Sequence, residues 1–186
     1  EMEGFRPKLA LEGLNIRKKK TATSVFRAGR LQITLNPWRS SLQRQLILAE
    51  VRASNVAIPA RLTNEATGIV VPIDPSVFAT EIERLALENT RVSLVRELFD
   101  TERALELVVD LDLSREGSNR KLQLLATGDG GLTVSVVGAG TGNPLDLSRF
   151  TGSLQGRVSS DDIGSISEFF GADISGTSDL LFWTDT

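Results

Sequence analysis

The stretch that decides the fold is Leu105–Leu113, with the sequence Leu-Glu-Leu-Val-Val-Asp-Leu-Asp-Leu. Leucine or valine recurs at every second position, and only Val108 interrupts the charged residues between them. Side chains of a β-strand alternate between two faces. The pattern therefore predicts a long strand with one apolar and one mostly polar face.

The same alternation continues beyond this strand, with turn sequences between the runs. Glu116–Asn119 and Gly128–Gly131 contain glycine and asparagine, which tolerate positive φ. We therefore predict that Leu105–Val137 forms a meander of three antiparallel strands. Near the amino terminus the alternation changes phase at Gly13, which we interpret as a β-bulge.

A weak internal similarity links distant parts of the chain. Leu9–Ile16 resembles Leu85–Val92, and Leu46–Val51 leading to Val56–Ile58 is a looser third copy. Similar segments at intervals of roughly 40 residues suggest an elongated array of hairpins.

Helical patterns are scarce. Pro75–Ala86 could form a short helix with Asp74 as its N-cap. Ser160–Phe170 is the stronger candidate, with Ser159 or Ser160 as its cap and an apolar stripe along it.

We predict a mainly β fold: an elongated, curved antiparallel sheet that forms an open hydrophobic trough, with one or two short helices. Residues 1–186 are treated as a single β-groove module with possible sub-units 1–72, 73–138 and 139–186. Both ends of the sequence look like cuts within a longer protein, so we expect the chain to be a fragment of one.

The composition excludes several functional classes. The chain has 186 residues, no cysteine and no histidine, so it has no thiolate nucleophile, no serine–histidine pair and no cysteine or histidine zinc site. The net charge is −3 with mixed signs, which does not favour nucleic acid as a partner. We therefore expect a protein that is not an enzyme and binds no cofactor or metal.

Two motifs have ordinary explanations. Gly138–Gly142 has glycines at alternate positions, unlike a dinucleotide-binding loop, so a flexible loop is favoured. Asp110 and Asp112 share one strand face and could form a carboxylate pair or chelate a metal, but solvated charges on the polar face are favoured.

Two further motifs keep an alternative open. Arg17, Lys18, Lys19 and Lys20 form the basic cluster; they are candidate contacts for anionic lipid headgroups, although a charged hairpin tip explains them more simply. Trp38, at a turn between two strands, is interpreted as a buried plug in preference to a binding hot spot.

The apolar side of such a sheet must be covered. Lipid acyl chains can cover it if the sheet forms a trough, since buried leucines hold a chain without polar contacts. The predicted lipid-groove residues are Leu9, Leu11, Leu31, Ile33, Leu35, Leu46, Leu48, Leu105, Leu107, Val109, Leu111, Leu113, Leu122, Leu124, Leu132, Val134, Val136, Leu154 and Val158.

Several segments resemble the AsmA-like family, in particular its YhdP-like branch. These are Phe5–Arg17, Arg30–Leu42 and Leu46–Val51, followed more loosely by Phe150–Gly156 and Ser159–Gly164. What is similar is the succession of an alternating strand, a second strand, a turn with tryptophan and Ser-Leu, and a further strand.

The resemblance implies a repeating-β-groove, bridge-like lipid transfer protein of Gram-negative bacteria. Such a protein would be periplasmic, anchored in the inner membrane through segments that this chain lacks, and involved in phospholipid transport and outer-membrane biogenesis. The alternative is a structural β-domain whose apolar face is covered by the rest of the parent chain or by a second copy. Edge-to-edge pairing into a homo-oligomer is a further expectation.

Overall fold

A computed structural model describes residues 6–17, 24–44, 47–62, 69–70, 82–98, 101–142, 150–164, 167 and 176–185. The protein is mainly β. The strands are β1 (Lys8–Arg17), β2 (Ser24–Leu35), β3 (Leu48–Leu62), β4 (Ile69–Val70), β5 (Ile82–Leu98), β6 (Thr101–Glu116), β7 (Asn119–Gly128), β8 (Thr133–Thr141), β9 (Thr151–Ser160) and β10 (Ser178–Asp185). One α-helix, α1 (Pro37–Gln43), and one 3-10 turn (Asp129–Gly131) complete the described elements.

The strands form one sheet in the order β1-β2-β3-β5-β6-β7-β8-β9-β10, and the short β4 pairs with β3 off this path. The predicted meander over Leu105–Val137 is confirmed, with Gly117 at φ 65° in the turn between β6 and β7. The prediction of a purely antiparallel sheet is wrong at one place, because β3 and β5 are parallel. Alternation of side chains is the same in both directions, so it does not reveal strand direction.

Both helix predictions need correction. Ile82–Ala86 opens β5, so the part of the predicted helix Pro75–Ala86 that is described is strand; the rest lies outside the described residues. Ser160 ends β9, and its hydroxyl donates to the carbonyl of Gly130 over 3.0 Å.

The helical turn after β9 begins later than predicted. The carboxylate of Asp162 accepts the N–H of Gly164 over 2.8 Å, and the N–H of Ser167 donates to the carbonyl of Ile163 over 2.8 Å. Asp162 therefore caps this turn, in place of Ser159 or Ser160.

The helix α1 occupies a segment that was expected to be a simple turn. Asn36 is its N-cap and accepts the N–H of Arg39 through its side chain over 3.1 Å, and Pro37 stands at the first helical position. Both residues favour a helix start.

The predicted loop at Gly138–Gly142 is also wrong, since Gly138–Thr141 belong to β8. A Cβ at Gly138 would overlap the side chain of Leu154, and one at Gly140 would overlap the carbonyl oxygen of Thr151. These glycines permit β9 to lie close against β8, which overrides their preference for turns.

Candidate ligand-binding face

The register places the apolar side chains of successive strands opposite one another on one side of the sheet, which we call the apolar face. Paired residues of neighbouring strands share a face, so each pairing extends the surface by one strand. One row is Leu9, Ile33, Val51, Leu85, Leu113, Leu122, Gly138 and Leu154. The next is Leu11, Leu31, Ala53, Leu87, Leu111, Leu124, Val136, Gly156 and Phe182.

Left-handed residues in β1, β3 and β5 help to keep this face continuous. Gly13, Asn55 and Asn89 have φ of 63°, 52° and 50°. Each adds one position without moving the following apolar side chains to the other side. In β5, for example, Leu85 and Leu87 are followed by Val92 on the same face.

The left-handed conformation of Gly13 accounts for the change of phase in β1 that we interpreted as a bulge. The pairing of β1 with β2 does not shift there, and its irregularity lies between Ile16 and Arg17. A bulge occurs instead in β5, between Leu87 and Thr90. Two residues of β5 stand there opposite a single residue of β6, whose own alternation is unbroken. At this bulge the N–H of Asn89 donates to the carboxylate of Asp110 over 2.7 Å.

The centre of the apolar face is half-buried, whereas both of its sides are buried. Leu113, Leu122 and Leu154 form a core cluster with Phe150 on one side. Leu105 and Leu132 are buried on the other. We call the half-buried residues between them the central band: Leu31, Ile33, Leu87, Leu107, Val109, Leu111, Leu124, Val134, Val136 and Val158.

The apolar face is open to solvent at both edges of the sheet. Leu9 in β1 is 54% exposed and Leu180 in β10 is 59% exposed. Between them, small buried side chains lie among the larger ones of the central band: Ala28, Ala53, Val56, Thr90 and Ala126. The surface thus runs across the strands from one edge to the other.

Most of the predicted lipid-groove residues lie on this face. Leu35 pairs with Leu48, and Leu48 packs against the core cluster. Leu46 lies outside the described residues. Of the basic cluster, Arg17 ends β1 but its side chain is not described, and Lys18, Lys19 and Lys20 lie outside the described residues.

The opposite face is mostly polar, as the alternation predicts, and also exposes Val108, Leu125 and Val137. Asp112 accepts hydrogen bonds from the Nε and NH2 of Arg84, over 3.1 and 2.5 Å. The hydrogen bond and charge of Asp112 raise the pKa of Arg84 above its ordinary value. Arg52 lies 3.1 Å from Glu50. A depression of about 320 Å³ on this face is lined by Arg84, Asp110 and Asp112, which already have partners, and by apolar side chains that include Leu125 and Val137. No group of acidic side chains suited to a metal occurs among the described residues.

One charged residue on the apolar face was not singled out from the sequence. Arg120 stands two residues before Leu122 in β7, in the apolar phase of that strand, and is buried. The signal was present: Arg120, Leu122, Leu124 and Ala126 alternate in one phase, and only the first is charged.

Two groups of apolar side chains are exposed, and the first contradicts a prediction. Trp38 lies in α1 and is 69% exposed, so the interpretation as a buried plug is wrong. It occupies the second position of a short surface helix, with Leu42 exposed one turn later. In β10, Leu180, Leu181 and Trp183 are exposed on both faces of the edge strand.

Comparison with family models and with curated proteins returns no match to this chain. Within the described residues, no helix has the length and apolar character needed to cross a bilayer.

Proposed function

We propose that the protein is a non-enzymatic, lipid-binding and lipid-conducting β-groove segment. The observation that supports this best is the continuous apolar face, which runs across the sheet from Leu9 in β1 to Leu180 in β10 and has a half-buried central band. A surface of this kind suits a partner that is long, apolar and without fixed polar contacts.

The dimensions of the face fit acyl chains. Nine strands span about 38 Å at about 4.8 Å per spacing. One leaflet occupies about half of a hydrocarbon core of about 30 Å, so an extended chain needs about 15 Å. The face offers room for two chains in succession. Each leucine that a chain covers completely contributes roughly 1.5–3 kcal/mol.

The resemblance to AsmA-like proteins supports a particular setting. In this proposal the chain is part of a periplasmic protein that is anchored in the inner membrane of a Gram-negative bacterium, with the membrane segment elsewhere in that protein. The groove would carry phospholipids between the inner and outer membranes, and this transport would contribute to outer-membrane homeostasis. Edge-to-edge pairing through β1 and β10 would lengthen the apolar face.

The test is native mass spectrometry of the purified protein with extraction and identification of bound lipid. Leu107→Asp and Leu111→Asp place a charge in the central band. Val108→Asp and Leu125→Asp are matched controls, because these exposed residues point to the opposite face. We expect wild type and controls to carry phospholipid, and the first two variants to lose it while circular dichroism stays unchanged.

A structural β-domain is the second candidate, and one observation favours it. Leu113 and Leu122 are only 3% and 5% exposed, so the chain itself covers that side of the apolar face. If the rest of the parent chain or a second copy covers the central band as well, the wild-type protein will carry no lipid. The same spectra would then show lipid-free monomer or dimer.

A further inference from the structure

The guanidinium group of Arg120 is buried on the apolar face. Arg120 is 7% exposed and shares its phase in β7 with Leu122. Its NH1 donates a long hydrogen bond of 3.5 Å to the carbonyl oxygen of Ile82. No carboxylate forms an ion pair with it among the residues that the structure describes.

Among the described residues, the charge that acts on Arg120 is a second cation. Arg115 lies opposite Arg120 in the pairing of β6 with β7, and its Nε donates to the carbonyl of Gly117 over 2.8 Å. Burial and the charge of Arg115 lower the pKa of Arg120. The ordinary pKa of arginine lies far above neutral, so the group remains charged at neutral pH. Burial of a charge without a counter-ion is strongly unfavourable, so this position favours an anion.

Arg120 lies directly beside the apolar side chains of the face. In β8 and β9 its row continues through Gly140 and Gly152, which have no side chains, and the ring of Phe150 lies against Gly140. On its other side the row of Leu113 and Leu122 begins, about 7 Å away along the strand. A molecule with its hydrocarbon on the apolar face would bring a terminal anionic group to the guanidinium.

We propose that Arg120, with Arg115 beside it, binds the phosphate of a phospholipid headgroup. Arginine offers a planar fork of N–H donors that matches phosphate oxygens in bidentate geometry. The inference rests on the proposed function and deepens it, because it assigns the charged end of the lipid to one side of the apolar face. The ligand class is then phosphate-bearing lipid rather than any hydrocarbon.

The experiment is a calorimetric titration of delipidated protein with three probes. Dihexanoylphosphatidylglycerol carries chains and phosphate, dihexanoylglycerol carries the chains alone, and inorganic phosphate carries the anion alone. We expect the phospholipid to bind at least tenfold more tightly than either fragment. Arg120→Gln should remove that tenfold advantage, which is about 1.4 kcal/mol, and leave the binding of dihexanoylglycerol unchanged. Arg30→Gln, an exposed arginine of β2, is the matched control and should bind like wild type.

Each contrary result has a distinct meaning. Equal binding of phospholipid and dihexanoylglycerol to wild type and Arg120→Gln would overturn the headgroup site while the lipid groove stands. Phosphate alone binding as tightly as the phospholipid would assign a site for free anions instead. No binding of either chain-bearing probe would overturn the groove itself. If Arg120→Gln does not fold, the titration is repeated with Arg115→Gln, which changes an exposed residue. Phospholipid binding by Arg115→Gln that equals that of the wild type would then overturn the proposal.

Discussion

The side-chain amide of Asn89 donates a hydrogen bond of 2.6 Å to the side-chain oxygen of Asn55, joining two parallel strands at their left-handed residues. Asparagine tolerates this conformation better than other non-glycine residues. The pair therefore satisfies a backbone requirement and links β3 to β5 on the polar face.

We predict that Asn89→Val lowers the free energy of unfolding by about 2 kcal/mol. A β-branched residue in a left-handed conformation costs about 1–2 kcal/mol, and the bond to Asn55 is lost as well. Asn89→Gly loses the same bond but accepts the conformation, so it should cost about 1 kcal/mol or less. Urea unfolding followed by circular dichroism measures both. Equal losses in the two variants would show that the backbone conformation is not responsible.

Thr90 is 1% exposed, and its hydroxyl has no hydrogen-bond partner among the described residues. Thr90→Val keeps the shape and removes a buried polar group, so we expect a gain of about 1 kcal/mol in the free energy of unfolding. Thr127→Val, at an exposed position of β7, should change it by less than about 0.5 kcal/mol. A loss of stability in Thr90→Val would mean that the hydroxyl makes a favourable interaction.

Gly140→Ala should lower the melting temperature and the free energy of unfolding, the latter by about 1–3 kcal/mol. The added methyl group would overlap the carbonyl of Thr151 and the ring of Phe150, and β9 would have to move away. Ala139→Ser, at the exposed neighbouring position, is the control. If Gly140→Ala has the same melting temperature as the wild type, β8 and β9 do not lie close enough together to exclude a methyl group.

The edge strand β10 should detach more readily in acid. Arg157 donates to both carboxylate oxygens of Asp179 over 2.8 and 2.7 Å, and this hydrogen bonding lowers the pKa of Asp179 below its ordinary 3.8. The stabilisation is complete above the unfolded pKa and is lost as pH falls through the lower folded value. Native-state hydrogen exchange should show easier opening of β10 below about pH 4. Asp179→Asn should lack this pH dependence; if it retains the dependence, another carboxylate is responsible.

Parts of the fold follow directly from the sequence. The apolar phase of Leu105–Leu113 is complete, with only Val108 out of place in the polar phase, and Gly117 closes the hairpin, so local pattern and turn chemistry agree there. The direction of β5 relative to β3 does not follow, because Leu85 and Leu87 alternate equally well in either direction. Gly138 and Gly140 have turn preferences that contacts with Leu154 and Thr151 override, and such contacts are invisible in one strand alone.

The candidate site was predictable in its apolar part only. Leu107 and Val109 reveal their face through alternation, whereas the signal at Arg120 was weak, because a single charge in an apolar phase carries little weight in a pattern. Asn36 and Pro37 are residues that favour a helix start, but the segment was interpreted as a turn between two strands. Burial of Arg120 arises from distant strands and needs the three-dimensional arrangement.

The parallel pair of β3 and β5 also has a consequence for how the chain folds. Every other neighbouring pair along the main path of the sheet joins consecutive strands, whose contacts are close in sequence and form quickly. The parallel pair joins residues 34 positions apart, as in Val51 and Leu85, and its loop must close before any of its contacts form. Folding should therefore proceed as two hairpin arrays, β1–β3 and β5–β10, whose joining at this seam is the slow step.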